Sequence, residues 1–150
     1  MSEKPAWLLE FRKQVKELRK KSNDCWYETT QDNLLRLKET GRGNCVAWSL
    51  LLSEIIIKFN LTFYLMILSN ARDRVRHQIS VIVEPDGGTY LQSCISVTRQ
   101  KVEITKPLSK QELLEKLTIC AENAGWRKSN IAIDRIEKFK NGKKIVLLHD

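Results

Sequence analysis

Gly41-Arg42-Gly43-Asn44-Cys45-Val46-Ala47-Trp48-Ser49-Leu50-Leu51-Leu52-Ser53-Glu54-Ile55-Ile56-Ile57-Lys58 is the stretch whose reading decides the fold. Two glycines punctuate a turn, and an apolar run follows directly. The run spans about Cys45 to Lys58 and is apolar on most sides, which predicts a buried central helix. Cys45 then falls at a helix start, where the positive end of the macrodipole favours thiolate over thiol. A side chain at the end of a buried helix is also held rigidly, as positioned chemistry requires.

Downstream, Leu61 to Leu68 reads as a buried strand, and Ser69 to Arg76 as a polar, arginine-bearing loop. His77 to Glu84 reads as a second strand in which His77 shares its parity with Ile79, Val81 and Val83. Pro85-Asp86-Gly87-Gly88 is a turn signal, and Thr89 to Val97 reads as a third strand that completes a hairpin. Ser109 with Glu112 forms a capping box for a helix reaching about Ala124. Asn141-Gly142, between Ile131–Phe139 and Lys143–Leu148, is a strong two-residue hairpin signal.

Upstream, Leu8, Phe11, Val15 and Leu18 recur at helical spacing between Pro5 and Lys21, with lysines and arginines between them. This predicts an amphipathic surface helix whose basic face meets solvent. Thr29 and Asp32 read as a second capping box for a short helix that Gly41 and Gly43 end. Helices, three strands, a helix and two strands make an α+β layout with an antiparallel sheet.

At 150 residues the chain reads as a single domain, 1–150, long enough to bury a core. With 42% hydrophobic and 29% charged residues it has a soluble globular composition. Its longest apolar candidate, Ile55 to Leu68, is interrupted by Lys58 and Asn60 and is too short to span a bilayer. The start, Met1-Ser2-Glu3-Lys4-Pro5, lacks a basic-then-apolar export signal, so a cytoplasmic location is expected. Cys25, Cys45, Cys94 and Cys120 form no CxxC pair and only two histidines accompany them, so free thiols are expected, with no metal and no cofactor.

The net charge of +8 is uneven. From Arg127 to Lys144, Arg127, Lys128, Arg135, Lys138, Lys140, Lys143 and Lys144 face only Asp134 and Glu137. This basic C-terminal helix and hairpin, 108–148, is either a solvated surface or a site for an acidic protein, an anionic lipid surface or nucleic acid. Trp126 and Phe139 are its only aromatics, which argues against nucleic acid.

A cysteine nucleophile needs a base, a group that orients the base, and donors for the developing oxyanion. Cys45 suits the nucleophile and His77 the base, and the Cys45 backbone N–H suits the oxyanion. A regular hairpin across Pro85–Gly88 brings residues near 92 or 93 alongside His77, so Gln92 or Ser93 is the candidate orienting group. Cys94, beside them, reads as a packing residue with a redox thiol as the sharper alternative.

The stretch GRGNCVAWSLLLSEIIIKFNL, followed by RHQISVIVEPDGGTYLQS, resembles the core of the transglutaminase-like superfamily, among the papain-like cysteine enzymes. The resemblance rests on Gly43-x-Cys45 at the start of a buried helix and on His77 opening the next strand but one, and it covers about Thr30 to Val97. It departs at Gln78-Ile79, where the family usually has Ala-Trp, and at Gln92 or Ser93, where the family has aspartate. It implies a papain-like, transglutaminase-like α+β fold, with N-terminal helices and the central helix packed on the antiparallel sheet. It further implies cysteine-dependent acyl transfer or hydrolysis of a protein or peptide amide, of protease, deamidase or transglutaminase type. The alternative is a catalytically weakened member of the same fold that binds proteins.

Overall fold

The computed structural model of the chain describes residues 4–70, 75–105, 108–124 and 131–149. Among the described residues are four helices and six strands. They fall into two compact units, Met1–Phe59 and Asn60–Asp150. The class is α+β, with every strand pairing antiparallel.

The first unit holds α1 (Ala6–Lys21), α2 (Leu34–Thr40) and α3 (Cys45–Lys58). Helix α1 buries Trp7, Leu8, Phe11, Val15 and Leu18, the three-and-four spacing of one helix face. Arg19, Lys20 and Lys21 sit in its last turn, where cations complement the macrodipole. Helix α2 starts later than Thr29-x-x-Asp32 suggests: Asn33 is its cap, accepting the Arg36 N–H at 3.1 Å. The correction has a physical cause. The chain around Thr29 is already committed to α3, because the Thr29 carbonyl accepts from Asn44 Nδ2 and the Gln31 carbonyl accepts the Asn44 N–H. Gly41 ends α2 with φ +74°, and a Cβ there would overlap the Leu18 carbonyl, so this position needs glycine twice over.

The second unit is a sheet of β1 (Thr62–Asn70), β2 (Arg76–Val83), β3 (Gly88–Ser93), β4 (Ser96–Glu103), β5 (Ile131–Lys140) and β6 (Lys143–His149), in the order β4-β3-β2-β1-β5-β6. Helix α4 (Lys110–Asn123) covers one face. There Leu117, Cys120 and Ala121 pack on Tyr64, Met66, Leu68, Ile79, Val81, Leu91 and Ile136. The capping box of α4 forms as read: Glu112 N–H donates to Ser109 Oγ at 3.1 Å, and Ser109 N–H to Glu112 Oε1 at 3.4 Å. Asn141 and Gly142 turn β5 into β6 with φ +52° and +73°, the two positive values a two-residue hairpin of this kind requires.

The stretch read as one strand, Thr89 to Val97, is two. It breaks at Cys94-Ile95, where Ser93 pairs with Ser96 and Cys94 takes φ +52°. No glycine, asparagine or proline marks that turn, so nothing local announces it. The arginine-bearing loop positions Arg72, Asp73 and Arg74, and Trp126, Arg127 and Lys128 of the basic tail, lie outside the described residues.

Candidate functional site

Cys45 is the first residue of α3 and is buried, with 9% of its surface exposed. Its setting is built by a short parallel pairing of Tyr27 with Gly43. The Gly43 N–H donates to the Trp26 carbonyl at 3.0 Å, and the Glu28 N–H donates to the Gly43 carbonyl at 3.2 Å. The indole N–H of Trp48, one turn into α3, donates to the same two carbonyls, each at 3.1 Å. A Cβ at position 43 would lie 2.7 Å from the Ala47 Cβ and 3.3 Å from Leu37 Cδ1, so close packing excludes any side chain there.

Asn44 caps the helix. Its Oδ1 accepts the Val46 and Ala47 N–H groups at 3.0 and 3.2 Å, while its Nδ2 donates to the Thr29 carbonyl at 3.1 Å. One side chain therefore satisfies two donors of the first turn and ties that turn to the preceding segment. The asparagine in Gly43-Asn44-Cys45 is a structural cap that holds the cysteine's backbone, a role the sequence reading left unassigned.

His77 lies in β2, opposite Leu68 of β1, and is half-buried. It shares a face with Ile79 and Val81, whose side chains lie in the core that α4 covers. The ring Nε2 and Ser93 Oγ are 2.8 Å apart. Ser93 pairs with Ile79, two residues along from His77, so it approaches diagonally on the same face. Burial lowers the imidazole pKa from its ordinary value of 6.5, favouring the neutral ring.

Gln92 takes the other side. It pairs with Ser80, and both are buried on the opposite face of the sheet from His77. Its Nε2 donates to the Cys94 carbonyl at 2.5 Å. Of the two side chains expected near the imidazole, the structure brings Ser93 to His77 and turns Gln92 away from it.

A carboxylate does sit at this end of the sheet. The pairing of β1 with β5 is irregular at Ile67/Leu68, and Asp134 is the residue of β5 left without a partner in that register. Asp134 accepts from Ser69 Oγ at 2.9 Å and lies 3.6 Å from Arg76 Nε. Ser69 and Arg76 are the pair next to Leu68 and His77, so they occupy the opposite face. The sequence reading saw Asp134 only as a counter-charge in the basic tail; a bulge leaves no local signal by which to find it.

A hollow of about 440 Å³, lined by Asn60, Thr62, Glu84, Asp86 and Lys140 among others, lies at the far end of the sheet and includes none of the expected site residues. All four cysteines are free thiols. Among the described residues no helix is long and apolar enough to cross a membrane. No family model, curated protein or solved structure matches the chain.

Proposed function

We propose that the chain is a cysteine-dependent enzyme of transglutaminase-like type that transfers or hydrolyses the acyl group of a protein or peptide amide. Cys45 is the nucleophile, His77 the proton carrier and Ser93 the group that orients His77. The hydrogen bond between His77 Nε2 and Ser93 Oγ, 2.8 Å long on a half-buried ring, is the observation that carries the reading. It restrains the imidazole's rotation within its own sheet, as a group that carries protons needs. The capped start of α3 adds support, because it holds the Cys45 backbone and its N–H in a defined first turn.

The chemistry balances as follows. The Cys45 proton passes to His77 as the S–C bond to the amide carbon forms. His77 returns that proton to the leaving amine as the C–N bond breaks, and a thioester remains. Water, or an acceptor amine, then gives a proton to His77 and attacks. The C–S bond breaks and His77 gives its proton to the departing sulfur, which restores the thiol and the neutral ring. Neutral His77, the form that burial favours, is the form that accepts the first proton.

The test is alkylation of Cys45 by iodoacetamide across pH, in the unaltered chain and in His77→Ala. The reading expects Cys45 to be reactive near pH 6, that reactivity to vanish with His77, and Ser93→Ala to weaken it without abolishing it. Equal Cys45 rates with and without His77 would sink the pair.

A second reading is favoured by one observation: the group bound to Nε2 is a hydroxyl, which supports an imidazolium less than a carboxylate does. On that reading the chain is a protein-binding member of the same fold. Lys138, Lys140 and Lys143 of the β5–β6 hairpin would then supply the surface for an acidic partner. Saturable binding of an acidic polypeptide with no covalent intermediate at Cys45 would select it.

A further inference from the structure

Gln92 stands next to Ser93 and faces away from His77, yet its side chain reaches the turn that ends β3. It is fully buried, and its Nε2 donates to the Cys94 carbonyl at 2.5 Å. Ser93 pairs with Ser96, so Cys94 and Ile95 are the two central residues of that turn. Of the two, Cys94 alone takes positive φ, +52°. Positive φ at the first central position alone is the pattern of a type II′ turn, which prefers glycine there. A flip of the peptide between Cys94 and Ile95 would give the other hairpin form, with both φ values positive. A cysteine at the strained position therefore needs its carbonyl held in place, and the Gln92 amide holds it. The bond also closes a ring of atoms around Ser93, the residue between donor and acceptor.

A cost borne by a neighbour points the same way. Ser80 pairs with Gln92 across the strands and is buried, and its Oγ has no hydrogen-bond partner among the described residues. A buried amide beside a buried hydroxyl ordinarily satisfies it. Here the amide donates to the turn and the hydroxyl goes without, so the turn bond is the one the fold keeps.

We propose that Gln92 is a positioning residue for His77: it holds the Cys94 carbonyl, the held turn fixes Ser93, and Ser93 Oγ then meets His77 Nε2 at 2.8 Å. Ser93 is the last residue of β3, where pairing frays unless the turn is fixed. The role is indirect, through the backbone of Ser93. Its bearing on catalysis rests on the proposed Cys45–His77 pair, whereas its hold on Ser93 does not.

The test is NMR titration of the His77 ring in the full chain and its variants. Gln92→Met keeps the length of the side chain and removes the donor. It should move the ring pKa as far as Ser93→Ala does, and no further when both changes are made together. Adding Cys94→Gly, which takes positive φ without help, should return the Gln92→Met chain to the unaltered value. A residue that only filled space would give shifts that add to those of Ser93→Ala, and a glycine at another position would not rescue it. Gln92→Asn, one methylene too short for the Cys94 carbonyl, should act as Gln92→Met does and takes its place if that chain fails to fold. An unmoved ring in the Gln92 variants, additive shifts with Ser93→Ala, or no recovery with Cys94→Gly would each overturn the proposal. Iodoacetamide rates at Cys45 near pH 6 test the enzyme reading separately. Rates that ignore His77, with the ring shifts as expected, would remove the catalysis and leave Gln92 as the residue that holds Ser93 to the ring.

Discussion

Gly43 and Asn44 show how much of the candidate site is set by two residues that do no chemistry. A methyl group at 43 would meet Ala47 at 2.7 Å, inside the first turn of α3. Gly43→Ala should therefore destabilise the chain by about 1–3 kcal/mol, the usual cost of overpacking, read as a lower urea midpoint. Asn44→Ala removes an acceptor for two N–H groups and should cost about 1–2 kcal/mol. A smaller loss for Asn44→Ala than for Asn33→Ala, whose side chain accepts a single N–H, would contradict this account of the cap. His77 makes a pH prediction at the same scale. Its folded pKa lies below 6.5, so on acidification the unfolded chain takes a proton before the folded chain does. Stability contributed by neutral His77 is thus present above about pH 6.5 and lost as pH falls through the folded value. Thermal unfolding of His77→Gln should show a shallower fall between neutral pH and pH 5 than the unaltered chain. Identical slopes would mean that the ring is not buried in its neutral form.

At the scale of elements, α4 holds the second unit's core through few residues. Leu117 is fully buried against the sheet face that also carries His77, so Leu117→Ala should cost about 2–5 kcal/mol. It should also loosen the His77–Ser93 contact, seen as a His77 pKa returning toward 6.5 in a pH titration by NMR. An unmoved pKa would mean that α4 does not set the ring's environment. Elements whose signals are local were legible in the sequence: the α4 capping box, the Asn141-Gly142 turn, and α3 from Cys45 to Lys58. Elements set by distant partners were not. The Thr29–Asp32 segment gives its carbonyls to Asn44, fifteen residues away, which no helix-start pattern contains. The Cys94-Ile95 turn is imposed by the pairing of β3 with β4, against the preference of a cysteine for negative φ. The same register decided between Gln92 and Ser93: adjacent residues on a strand face opposite ways, and only pairing to β2 says which way each one faces.

Across the whole molecule the four thiols form an internal comparison, because one chain places them in four environments. Cys25 is exposed, Cys94 is partly exposed, and Cys45 and Cys120 are buried. Access alone ranks Cys25 first and Cys94 second, with the two buried thiols last. Burial also pushes the Cys120 pKa up to about 11, so Cys120 should be the slowest at any pH below that value. Cys45 is the one thiol whose rank separates access from activation. On the proposed enzyme reading it should be alkylated ahead of Cys94 and Cys25 near pH 6, despite being buried. Near pH 9 the exposed Cys25 should overtake it, since access then outweighs assistance from a base. Mass mapping of partially alkylated chain at the two pH values reads all four positions in one experiment. An order that follows exposure at both values, with Cys45 beside Cys120, would remove the nucleophile and with it the enzyme reading. The α+β architecture would stand, because it does not depend on the reactivity of a thiol.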